Sequence, residues 1–210
     1  MALNKRVAPF RFYSQHGEES ILIDYFTINS PKYKYLVDVG AYGKELSNTF
    51  ALLNFGWHGL LIEANPSRIP IIQNDFKNLD VKIINNAITP YPENTYLYIN
   101  SVSGNDSLLS TWHLGTRTKK RVKVIPRTLS DVLLENSTPL DFDLLSIDIE
   151  GMDFCVMEHL FNHSLYRPDI IITEIDSYEK PLSFFSHFGY YLYRVVGSPQ
   201  DGNLIFKRKF

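Results

Sequence analysis

Two acids stand at the ends of apolar runs in the first third of the chain. Asp38 lies in Tyr35-Leu-Val-Asp-Val39, and Glu63 closes Gly59-Leu-Leu-Ile-Glu63. Between them comes a small flexible turn, Gly40-Ala41-Tyr42-Gly43. A pyrophosphate cradle uses G-x-G-x-x-G to bring backbone amides onto phosphate. Here the spacing is G-x-x-G, and an anion stands directly before the turn. That charge opposes a phosphate and suits a ligand carrying ammonium and sulfonium groups. Glu63 occupies the place of an acid that accepts both hydroxyls of a ribose. Either acid alone is explained as a cap on a neighbouring turn. Together, at the ends of adjacent strands, they point to a nucleoside site.

A second acidic set follows two further apolar runs, as Asp148-Ile-Glu150 and Glu174-Ile-Asp176. Residues i and i+2 share one face of a strand. If the two strands are neighbours, up to four carboxylates meet at one rim and repel one another. The chemistry this suits is general-base removal of a hydroxyl proton by Asp148 or Glu150. An oxygen-ligand divalent metal (Mg, Mn or Fe) held by Asp148, Glu174 and Asp176 would serve the same end. The alternative is that one or two of these acids cap the helices that follow.

Smaller signals surround these two sets. Ser47-Asn48-Thr49 open a helical stretch, where hydroxyls and free amides could hold a carboxylate or simply cap the helix. Asn86-Ala87 follow a strand and could edge an adenine ring. His113 beside Trp112, and His16 beside Gln15, lie in segments expected to flank the rim. His159 and His163 have chelating spacing but no H-E-x-x-H glutamate, so a surface role is expected. Cys155, the only cysteine, sits on an apolar helix face and excludes an intramolecular disulfide. The stretch 101–121 is long, polar and locally basic, as lids and acceptor loops are.

Positioning these residues takes an α/β chain. The spacing predicts an N-terminal helix from Ser14 or Gly17, with Glu18 and Glu19 favoured in its first turn by the dipole. Strands are predicted at 35–39, 59–63, 81–84, 96–100, 122–125, 144–149 and 170–175. Helices are predicted at 46–55, from the Asn65-Pro66 start to about 76, at 128–135, 153–161 and 178–188. Two last strands, 190–196 and 203–207, are too close for a helical crossover and must form an antiparallel hairpin. The expectation is a Rossmann-like, mostly parallel sheet with a C-terminal antiparallel hairpin and helices on both faces. No linker divides the 210 residues, so a single domain over 1–210 is expected, with 1–30 lying over the rim.

Composition is that of an ordinary globular protein, 44% hydrophobic and 21% charged. A net charge of −2 gives no field that draws nucleic acid or anionic membrane. No apolar stretch reaches a membrane span, and the N-terminus lacks a signal-peptide core. A cytoplasmic location follows by default, and an oligomer stays open. Aromatic content of 14% reads as core filling.

Taken in order, Ser14-Gln-His-Gly-Glu-Glu19, Val37-Asp-Val-Gly-Ala-Tyr-Gly43, Ser47-Asn-Thr49, Gly59-Leu-Leu-Ile-Glu-Ala-Asn-Pro66 and Leu145-Ser-Ile-Asp-Ile-Glu-Gly151 resemble the FkbM family of S-adenosylmethionine-dependent methyltransferases. The resemblance runs from about Tyr13 to Asp176 and implies a class I methyltransferase fold. It implies O-methylation of a sugar or natural-product hydroxyl, with a small-molecule or sugar-nucleotide acceptor and no nucleic acid. Cofactor contacts are expected from Gln15, Asp38, Gly40, Ala41, Ser47, Asn48, Glu63, Ala64, Asn86 and Ala87. Catalytic roles are expected of Asp148, Glu150 and His113. Glu19 and Asp153 stand where the family commonly has aspartate and glutamate. The rivals are N-methylation of a small metabolite, a nicotinamide-dependent oxidoreductase, disfavoured by the missing G-x-G-x-x-G, and a binding module that keeps the fold without catalysis.

Overall fold

The computed structural model describes residues 12–100, 104–110, 120–175, 179–199 and 201–209. In chain order, α1 (Glu18–Ile28) leads into β1 (Tyr35–Val39), α2 (Phe50–Asn54), β2 (His58–Ile62), α3 (Ile69–Asp75) and β3 (Asp80–Ile84). Short strands follow: β4 (Ala87–Ile88), β5 (Tyr96–Ile99), β6 (Lys120–Lys123) and β7 (Pro126–Arg127). Then come α4 (Leu129–Glu135), β8 (Leu144–Ile147), α5 (Asp153–His163), β9 (Ile170–Glu174), α6 (Glu179–His187), β10 (Tyr190–Ser198) and β11 (Asp201–Arg208).

Seven strands form one sheet in the order β10-β11-β9-β8-β1-β2-β3. β11 alone runs opposite to the other six strands, wedged between β9 and β10. The near-continuous apolar runs of β1, β8 and β9 are explained by burial on both sides. Val37, Val39, Leu145 and Ile147 face α4, α5 and α6 in one cluster. Leu36, Leu144, Ile170 and Ile172 face α1, α2 and Phe76 in the other. The alternation within each strand therefore sorts one apolar run into two cores. β5 and β6 pair as a separate antiparallel hairpin, and β4 pairs β7 in parallel.

The expected elements are present, with local differences. The helix expected from 46 begins only at Phe50. Leu46 adopts φ +71, which helical continuation does not allow. Ser47 Oγ then accepts from the amides of Thr49 and Phe50 at 3.1 and 3.0 Å and caps the shorter helix. The strand expected at 144–149 ends at Ile147, and the strand expected at 122–125 lies at Lys120–Lys123. Thr128 caps α4 as expected, accepting from Asp131 N. Glu18 and Glu19 are fully buried rather than solvated. Glu19 accepts from the amides of Tyr13, Ser14 and Ala51, so it ties the N-terminal segment to α2. Among the described residues, no helix is long and apolar enough to cross a membrane.

Candidate active site

Backbone geometry at the end of β1 makes the site. Gly40 adopts φ +90, and its amide donates to Ile62 O of β2 at 2.9 Å. A Cβ at this position would overlap the carbonyl of Asp148, so only glycine lets the exit from β1 pass against the tip of β8. The cleft this opens holds a cavity of about 300 Å³. Gln15, Asp38, Gly40, Ala41, Ser47 and Asn48 line it, together with Asp148 and Glu150. A smaller cavity of about 50 Å³ adjoins it, sharing Gly40, Tyr42, Gly104, Asp148 and Glu150. Glu63 and Ala64 line this second cavity opposite apolar Ile88, Leu97 and Leu108.

Each buried acid is oriented by its neighbours. Asp38 is 7% exposed and accepts the Thr49 hydroxyl at 2.7 Å. Burial pushes its carboxyl up to about 6, against hydrogen bonds from Thr49 and Ser146 that pull it down. Glu63 accepts from Asn65 N at 2.6 Å. Burial pushes it up to about 7, Asp106 adds to the rise, and Arg68 and the backbone amides oppose it. A ligand that brings positive charge to Asp38, or hydroxyl donors to Glu63, would favour their ionised forms. Asp106 is held by Asn65 Nδ2 at 2.8 Å and Asn100 N at 2.9 Å. Arg68 lies over the Tyr42 ring, 3.5 Å from its centroid.

The strand-end acids do converge, because β8 and β9 are parallel neighbours. Asp148, Glu150 and Glu174 each bring an oxygen within 4.8 Å of the others, Asp148 being the exposed member. Glu150 adopts φ +55, a strained backbone of the kind that clusters at functional sites. The segment is held from two sides. Ser107 Oγ donates to Glu150 O at 2.7 Å. Asp153, fully buried, accepts from Ile149 N at 2.8 Å through one oxygen. Its other oxygen accepts from the Thr173 hydroxyl and Glu174 N, both at 3.3 Å.

Other expected residues lie elsewhere. Asn86 and Ala87 line neither cavity; Ala87 is buried beside Pro126 in the β4–β7 pair, and Asn86 donates to Ile125 O at 3.5 Å. His16 is used through its backbone amide, which donates to Glu18 at 3.0 Å. His159 and His163 lie on α5 with rings 4.6 Å apart, away from both cavities. Cys155 packs beside the core, and burial pushes its thiol up to about 11. His113, Trp112 and Asp176 lie outside the described residues.

Several lining residues had no local signal. Asn203 reaches the larger cavity from β11 and donates to Glu18 at 2.7 Å, a contact across most of the chain. Asn105 and Ser146 also line it. Ser146 was legible in principle, as the one polar residue in Leu-Leu-Ser-Ile.

A methyltransferase FkbM domain matches residues 38–192. The chain belongs to the FkbM methyltransferase family. Sequence comparison with curated proteins finds no match. Among solved structures, the fold is similar to a candidate RNA methyltransferase, PH1948, from Pyrococcus horikoshii, at TM-score 0.51 and 9% identity. That match covers 97% of this chain and 91% of the other. The METTL16 MTase domain matches at TM-score 0.52 and 14% identity, over 91% of this chain and 65% of that one. A candidate methyltransferase, yhhF, from Escherichia coli matches at 0.52 and 10% identity, over 96% and 89%. At such identities the likeness shows the fold alone, that of class I methyltransferases. Family and fold together make this FkbM-family protein an S-adenosylmethionine-dependent methyltransferase. The paired cavities fit that cofactor: an acid faces each, and an apolar slot adjoins Glu63.

Proposed function

We propose that this FkbM-family methyltransferase methylates a hydroxyl of a sugar, carried by a nucleotide, a polysaccharide precursor or a glycosylated natural product. The lining of the larger cavity carries the reading. Of the lining residues not assigned to the cofactor, Asn105 and Asn203 supply carboxamides and Asp148 and Glu150 supply carboxylates. No lysine or arginine lines it among the described residues. Such a surface offers donors and acceptors to neighbouring hydroxyls and repels a phosphate.

S-adenosylmethionine, when bound, supplies an electrophilic methyl group on a positively charged sulfur. On this reading Asp38 faces the cationic end of the cofactor, with Ala41, Ser47 and Asn48 around its amino-acid portion. Glu63 accepts the ribose hydroxyls, and Ile88, Leu97 and Leu108 enclose the base. Asp148 or Glu150 accepts the proton of the acceptor hydroxyl. Holding a nucleophile at attack distance lowers a barrier by up to about 7–11 kcal/mol. A divalent cation on Asp148, Glu150 and Glu174 is not needed for this chemistry.

The experiment is titration with S-adenosylmethionine and, separately, NADH, followed by an acceptor screen. Micromolar binding of S-adenosylmethionine, lost in Glu63→Ala, and a methyl ether on a sugar are the expected results. A product methylated on nitrogen would replace the hydroxyl reading. Absence of any methyl transfer, with both ligands unbound, would leave the fold as a binding module.

A further inference from the structure

We propose that the outer face of the β5–β6 hairpin binds the base and diphosphate of a nucleoside-diphosphate sugar, whose sugar end enters the larger cavity. The proposal rests on the hydroxyl-methylation reading and names the acceptor class for it.

The register of the hairpin creates this face. Tyr96 opposes Lys123 and Tyr98 opposes Arg121. Directly opposed residues of an antiparallel pair share a face, and residues i and i+2 of one strand share it too. Tyr96, Tyr98, Arg121 and Lys123 therefore stand together. Leu97 and Ile99 take the opposite face and pack into the small core with Ala87 and Val124. The outer face is open: Tyr96 is 39% exposed, and Arg121 and Lys123 are exposed. The Arg121 guanidinium lies over Tyr96, 4.6 Å from the ring centroid. Among the described residues no carboxylate pairs with Arg121 or Lys123. Tyrosine rings beside unneutralised cations form a platform for a stacked base and its phosphates, with little preference among bases.

The same face runs towards the active site. Ser107 forms an antiparallel bridge with Tyr98, its amide and carbonyl bonding to Tyr98 at 3.2 and 2.8 Å. Its hydroxyl bonds to Glu150 O. Ser107, Tyr98 and Arg121 thus make one cross-strand row, from buried Ser107 beneath the Glu150 carbonyl to the cation on the hairpin. Two strand spacings separate its ends, about 10 Å. That is the reach of a pyrophosphate and one sugar ring. Charge divides along the row in the same sense. The acidic cavity rejects phosphate and accepts a polyol, while the outer face of the hairpin carries Arg121 and Lys123 and no acid. An acceptor neutral at one end and anionic at the other fits both. A continuous polyanion would have to cross Asp148, Glu150 and Glu174 at the rim.

The test is calorimetric titration of the full chain, saturated with S-adenosylhomocysteine, with UDP and then UDP-glucose. Saturation closes the adenosine site to uridine. Wild-type protein is expected to bind both, more weakly as salt rises. Arg121→Glu and Lys123→Glu should each weaken UDP about tenfold or more, with S-adenosylhomocysteine affinity unchanged. UDP affinity that is absent in wild type, or unchanged in both variants, overturns the platform. Tighter binding of a short single-stranded RNA, weakened by the same substitutions, overturns it in favour of nucleic acid. UDP binding that depends on Arg121, with no methyl ether formed on any sugar, supports the platform and sinks the hydroxyl reading.

Discussion

The hydroxyl of Thr49 donates to Asp38 Oδ2 at 2.7 Å, joining the residue before α2 to strand β1 inside the protein. Thr49 is fully buried, and its amide is held by Ser47 Oγ. Asp38 therefore meets the cavity in an orientation set by the loop rather than by solvent. Thr49→Val keeps the volume and removes the donor. Cofactor affinity at pH 8 should fall about tenfold, the loss of one charge-assisted hydrogen bond of ~1.5 kcal/mol. Thr49→Ser should restore it. Calorimetry with S-adenosylhomocysteine measures both, and equal affinity in wild type and Thr49→Val would remove this bond from binding.

Asp38 at about 6 and Glu63 at about 7 stand above their ordinary values of 3.8 and 4.5, burial being the main cause. Between those limits the folded protein holds protons that the unfolded chain has released. Stability from these groups therefore falls as pH rises from about 4 to 7. Asp38→Asn and Glu63→Gln should flatten that slope and raise the melting temperature of the ligand-free protein at pH 8. Cofactor binding, which uses the ionised acids, should move the other way, weakening about tenfold or more from pH 8 to pH 5.5. Thermal denaturation and calorimetry across that range check the two signs, and ligand-free stability that rises with pH would contradict the assignment.

Asp148 and Glu150 stand at the junction of the two cavities with Glu174 beside them. Asp148→Asn should lower kcat by about 10²–10⁴-fold, the range of a general base, with S-adenosylhomocysteine affinity nearly unchanged. Exhaustive chelation should leave the wild-type rate intact, because Asp148 is solvated and needs no cation to offset its neighbours. A rate abolished by chelation and restored by Mg²⁺ would move these acids from base to metal ligands.

The parts of this site that are local in sequence were legible there. Strand, acid, glycine turn and second acid lie within 35–63, so pattern and charge alone single out Asp38, Gly40 and Glu63 as candidates, and all three line the two cavities. Asp148 and Glu150 were legible because an acid-x-acid pair closes an apolar run. The pairing of β8 with β9, which brings Glu174 to them, was an assumption until the sheet order was known. Contacts that depend on tertiary approach left no pattern. Asn203 reaches the cavity only because β11 is inserted between β9 and β10, and Glu18 meets it across 185 positions. Leu46, Phe50 and Leu53 keep helical spacing, which predicts a longer α2 than the chain forms. Leu46 instead turns left-handed and faces the cavity. The helix dipole alone accounts for the sequence positions of Glu18 and Glu19, whereas in the fold both are buried and accept from backbone amides.

Asp153 links the tips of β8 and β9, and its effect should be positional. One oxygen takes Ile149 N, between Asp148 and Glu150, and the other takes Thr173 Oγ1 and Glu174 N. Losing the carboxylate leaves three donors, in and around a buried site, without this acceptor. Asp153→Ala should therefore cost ~3 kcal/mol or more in stability, and it should loosen the segment that carries both candidate bases. Asp153→Asn keeps one acceptor oxygen and should cost less. The two variants separate fold from chemistry. If Asp153 orients the acids, Asp153→Asn at a temperature where it is fully folded should still bind S-adenosylhomocysteine normally while kcat falls about tenfold, since misplacement of a catalytic group by ~1 Å is costly. An unchanged kcat in that folded variant would confine Asp153 to stability.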